Sequence, residues 1–107
     1  MREITEHELN LITGNGEPSD SELAGYGYDA DSWSRRVRKI YTQAMAADAS
    51  ERAERVMEWS ACDEQRKQAR VEAHRACTRA IWAAIARGEI RDPFLEIRRF
   101  RGPLGRG

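Results

Sequence analysis

Apolar side chains recur at helical spacing along most of this chain. Trp33, Val37, Ile40, Tyr41, Ala44 and Ala47 share one helical face. Continuing that face places Glu51 at its centre, so the stripe loses phase and a bend is predicted near residues 48–50. Asp48 and Glu51 have the spacing of a capping box, in which the first side chain accepts from an early amide and the second reaches back. A second stripe, Ala49, Ala53, Val56, Met57 and Ser60, runs onto Glu64 and Lys67 and so ends too. Ser60 with Asp63 offers a weaker cap there, because no helix breaker precedes it. The third segment aligns Cys62, Ala69, Ala73, Ala76, Cys77, Ala80 and Ala84, with Ile81 and Ile85 beside them. Gly88 supplies the left-handed residue that commonly closes a helix. Asp92 and Pro93 then restart one, whose Phe94, Leu95, Ile97 and Phe100 are expected to pack back on the bundle. The last residues, RRFRGPLGRG, are expected to fray.

Two stretches before residue 33 stand apart from this pattern. In MREITEHELNLITGNG, Thr5 and Glu8 form a capping box, Leu9, Leu11 and Ile12 provide apolar surface, and Gly14 ends the turn. By themselves these residues predict a short amphipathic helix docked on the others. Residues 17–32, EPSDSELAGYGYDADS, lack apolar periodicity and are rich in Gly, Ser and Asp, which predicts a loop or flexible linker. An aromatic lid made by Tyr26 and Tyr28 is the less favoured alternative, since the flanking glycines make it entropically costly. The expected architecture is all-α, a small helical bundle or helical hairpin with a flexible N-terminal segment. Its expected parts are residues 1–15, a linker at 16–31, a helical body at 32–100 and a basic tail at 101–107.

Composition agrees with this outline. The 107 residues make one domain at most, and neither Gly nor Pro occurs between Asp31 and Arg87, which favours helix throughout. Eighteen Lys and Arg balance eighteen Asp and Glu, so the net charge is zero and gives no strong nucleic-acid or membrane-surface signal. No apolar run approaches the ~20 residues needed to cross a bilayer, and no general secretory signal is present.

Candidate chemistry is sparse. If 62–77 is one helix, Cys62 and Cys77 stand ~22 Å apart, far beyond the reach of a disulfide, so two small core residues are the expectation. An intermolecular bridge stays open in an oxidising compartment. His74 and Cys77 are three apart and could share a metal, but one pair falls short of the four ligands of a structural zinc site. No oxyanion loop or third orienting group accompanies them, so neither enzyme activity nor a cofactor or metal is expected. Arg98, Arg99 and Arg101, with Arg106 beyond and Phe100 between, offer a small contact for an anionic surface. Core packing is the safer account of Trp33, Trp59 and Trp82.

The opening segment also resembles the double-glycine leader peptides of class II microcins and related peptide bacteriocins. Those leaders begin Met-Arg-Glu-Ile or Met-Arg-Glu-Leu and end in Gly-Gly, Gly-Ala or Gly-Ser. Met1 to Thr5 match that opening, Glu8-Leu9 matches the family's Glu-Leu, and Ile12-Thr13-Gly14 matches its apolar, hydroxyl, glycine ending. The resemblance implies that Ile4, Leu9 and Ile12 are read by a papain-like peptidase domain of an ABC exporter, with cleavage at Gly14, Asn15 and Gly16, after Asn15. Asn15 departs from the small residue expected there, and Gly16 offers a cut one residue later. The resemblance covers only residues 1–16.

Two functions are therefore expected. The first is an exported antibacterial peptide or small toxin, made with a cleavable leader and secreted after its removal. The alternative is a cytoplasmic helical interaction protein, such as an inhibitor, immunity protein or phage-encoded adaptor, whose first helix is permanent. An alanine-rich face serves a homodimer as readily as a bundle.

Overall fold

The computed structural model describes residues 1–91. Along the chain run β1 (Arg2–Glu3), α1 (Glu6–Thr13), α2 (Asp20–Gly25), α3 (Ala30–Ala46), α4 (Ala49–Ala86) and β2 (Ile90–Arg91). The protein is all-α apart from the short strand pair. The helix expected after Asp92-Pro93 and the arginine tail lie outside the described residues.

The described chain forms two compact units, one of residues 1–17 with 78–91, the other of 18–77. In the second unit, α3 and α4 make an antiparallel hairpin. Trp33 packs near Ala69 and Ala73, while Tyr41 meets Trp59 with ring centroids 5.6 Å apart, so one helix descends as the other climbs. Asp29 caps α3 by accepting from the Ser32 amide at 3.1 Å. The bend expected at residues 48–50 is present. There Asp48 accepts from the amides of Ser50 and Glu51, both at 3.1 Å, and so supplies the acceptor half of the predicted box.

Beyond that bend the structure corrects the predicted breaks. α4 runs unbroken for 38 residues, about 57 Å, and Ser60 with Asp63 caps nothing. The reason lies in which stripe turns inward. Met57 is 72% exposed, whereas Trp59, Cys62, Arg66, Ala69, Ala73 and Ala76 are buried or half-buried. Their spacing alternates three and four, as it does for Trp33, Val37, Ile40 and Ala44 on α3. This is the seven-residue repeat of helices that wrap side by side. Arg66 continues the seam because its apolar stem packs while its charged end reaches Asp63, at 2.6 Å. Glu64 and Lys67 thus never interrupt it.

The linker expected at residues 16–31 is also corrected, since it contains α2. Ser19 and Glu22 form a complete capping box: Ser19 Oγ accepts from the Glu22 amide at 3.2 Å, and a Glu22 carboxylate oxygen accepts from the Ser19 amide at 3.0 Å. Leu23 and Tyr28 are buried with Ala73 of α4, against which Ala30, Trp33 and Ala69 pack. Tyr28 stacks on Trp33 at 6.4 Å, with the planes 14° apart. One anchored Leu and one anchored Tyr suffice to fix a glycine-rich segment whose sequence carries no periodicity.

In the first unit, β1 pairs parallel with β2 in the register Arg2↔Ile90 and Glu3↔Arg91. The Arg2 amide donates to the Glu89 carbonyl at 3.1 Å and the Ile4 amide to that of Arg91 at 2.9 Å. Leu11 of α1, Ile81, Ala84 and Ile85 of α4, and Ile90 of β2 are its buried apolar residues.

Candidate functional site

The leader-like segment is the only stretch for which the sequence proposes a functional site within the described residues. Thr5 opens α1 with both halves of a capping box: its Oγ1 accepts from the Glu8 amide at 3.1 Å, and Glu8 Oε1 accepts from the Thr5 amide at 3.0 Å. The same Glu8 carboxylate takes two bonds from the Arg2 guanidinium, at 2.5 and 2.7 Å. Glu8 therefore links β1 to α1. The Arg2 bonds lead the effects that hold its pKa near 2, with the Thr5 amide adding to them against the opposing cost of burial.

At its other end α1 closes on Gly14, whose φ of +81° is the left-handed geometry that side chains with a Cβ adopt only at a cost. The Gly14 amide donates to Leu11, and the Asn15 and Gly16 amides both donate to the Asn10 carbonyl, at 2.9 and 3.1 Å. At Gly16 it is close approach that favours glycine, since an added Cβ would stand 3.0 Å from Cβ of Asn10. The candidate cleavage residues Gly14, Asn15 and Gly16 thus fold back over the helix end. A peptidase that takes extended substrate would have to open these bonds first.

Ile4, Leu9 and Ile12, the residues of the implied recognition face, are each half-buried. The most buried member of the segment is Leu11, which is only 1% exposed. Leader spacing singles out the former three, while burial singles out their neighbour.

Elsewhere the named candidates do not gather. Cys62 and Cys77 are buried on the uninterrupted α4 and are not joined by a disulfide, and Cys77 Sγ lies 3.8 Å from a carboxylate oxygen of Glu22. Among the described residues no group of His, Cys, Asp and Glu is placed to hold a metal ion. No described helix is long and apolar enough to cross a membrane. Arg98, Arg99 and Arg101 fall outside the described residues.

The structure also shows exposed apolar side chains, among them Tyr41 and Trp82, which were expected to pack. Tyr41 is 46% exposed, Met45 49% and Trp82 43%. Met45 stands one turn after Tyr41 and outside the inward repeat, and that phase was the available signal. No protein-family model, curated protein or solved structure matches this chain.

Proposed function

We propose that this chain is a small helical interaction protein that acts by binding another protein, with its N-terminal segment a permanent part of the fold. The observation that carries this is the double attachment of residues 1–16. β1 is laddered to β2, which follows α4, and α1 buries Leu11 almost completely. A segment made to be discarded gains nothing from either bond. Among the exposed apolar side chains, Tyr41 and Met45 stand one turn apart on α3, and this pair supports a binding role.

The exported-toxin reading keeps one observation in its favour: Gly14 and Asn15 are exposed, at the end of an amphipathic helix with leader spacing. The two are separated by purifying the protein from its producing cells and from their medium and measuring its intact mass. A full-length intracellular chain supports the interaction protein. A secreted product beginning at Gly16 or Glu17 would overturn it and support the leader.

A further inference from the structure

The outer face of α3 carries a run of cations that the fold does not use. Val37 is buried and Ile40 half-buried, and this fixes the rotation of the helix. Arg35, Arg38 and Lys39, at i, i+3 and i+4, therefore project together from the opposite side, and all three are exposed. None of the three has a carboxylate partner among the described residues, although the same hairpin pairs Arg55 with Glu58, and Arg66 and Lys67 with Asp63. Arg36, next to them, lies over the Trp33 ring at 5.5 Å from its centroid, which holds a fourth cation at the edge of the group. Towards the C-terminal end of the same helix the exposed surface turns apolar at Tyr41 and Met45.

We propose that this face of α3 is a docking surface for an acidic amphipathic helix of a partner protein. The proposal rests on the interaction-protein reading and names its surface. Charge complementarity selects the first half of the contact: the three cations span ~6 Å along the axis, about one turn, which matches carboxylates at i, i+3 and i+4 of another helix. The second half selects against a plain polyanion. Met45 lies ~9 Å beyond Lys39 along the axis, where its flexible thioether offers an apolar seat rather than a phosphate contact, flanked by the part of Tyr41 that its packing on Trp59 leaves exposed. Asp29 and Asp31 precede the cations on α3, and Glu51, Glu54 and Glu58 open α4, so a long nucleic-acid strand would meet repulsion on leaving the basic turn. A short acidic helix confined to the turn of Arg35, Arg38 and Lys39 and to Met45 beyond it lies clear of Asp31, one turn before Arg35.

The test uses the full chain and a fluorescein-labelled helical peptide of about 18 residues, with glutamates at i, i+3 and i+4 and leucines two turns on, made in both chain directions. Fluorescence anisotropy should show saturable binding of one of them. Binding should weaken at least about tenfold in the Arg35→Glu/Arg38→Glu/Lys39→Glu variant and with rising salt. Tyr41→Ser/Met45→Ser should weaken it about threefold or more, without changing the salt dependence. Arg52→Glu/Arg55→Glu, on α4, is the control and should bind as the parent does. Circular dichroism checks that each variant is folded, and the milder Arg38→Gln and Lys39→Gln, which keep much of the stem, replace the triple change if it is not. Failure of both peptides to bind, or equal binding by the charge-altered variants, would overturn the proposal. So would tighter binding of a single-stranded oligonucleotide of about 20 residues or of phosphatidylserine vesicles than of the peptide. Its failure is separable from that of the interaction reading, which falls only if the chain is processed and secreted.

Discussion

Replacing Leu11 with alanine removes the most buried side chain of the N-terminal unit and should cost about 2–5 kcal/mol, the range for large-to-small changes in a packed core. Urea denaturation measures this directly. Leu9→Ala, at a half-buried position, should cost clearly less. If Leu9 proved the costlier, the leader face and not the packed face would organise the segment. Gly14→Val has open space around it, so its penalty should come from backbone strain alone, about 1–2 kcal/mol at positive φ. Glu8 gives the pH dependence. Its folded pKa near 2 lies below the ordinary 4.5, so its stabilising contribution is fully present above about pH 4.5 and is lost as pH falls through about 2. Denaturation midpoints measured across that window should fall less steeply in Glu8→Gln than in the parent.

Among the elements, α4 carries the plainest test. An unbroken helix keeps Cys62 and Cys77 ~22 Å apart, so alkylation of unfolded protein without reductant should add two groups per monomer. The folded chain should react slowly, because both thiols are buried. One bridged pair within a monomer would show that α4 breaks between them. At the start of α4, Asp48→Ala should lower the urea denaturation midpoint, since the amides of Ser50 and Glu51 lose their acceptor. Asp48 has its pKa lowered by those same bonds, with the Ser50 hydroxyl first, so Asp48→Ala should also reduce the loss of stability in acid.

For the molecule as a whole, deleting residues 1–15 decides between a permanent helix and a removable one. The deletion takes away Leu11 and half-buried Ile4, Leu9 and Ile12, and leaves Ile90 without its strand partner. At about 1.5–3 kcal/mol per fully buried aliphatic side chain, several kcal/mol should go from a total of roughly 5–15 kcal/mol. The denaturation midpoint should drop visibly, and an unchanged midpoint would favour a detachable leader. Much of this fold was legible in local sequence. The capping box of Thr5 and Glu8, the bend at Asp48 and the closing Gly88 depend on neighbours within a few residues, and each was readable because such chemistry acts at short range. The all-α class followed from a 57-residue run without Gly or Pro. Only the tertiary structure decided the rest. Whether Met57 or Trp59 faces inward depends on the helix opposite, whether residues 17–32 order depends on a place for Leu23 and Tyr28, and the β1–β2 pairing joins segments 87 residues apart or more. Such contacts are fixed by shape complementarity and burial between distant parts of the chain, which local sequence does not encode.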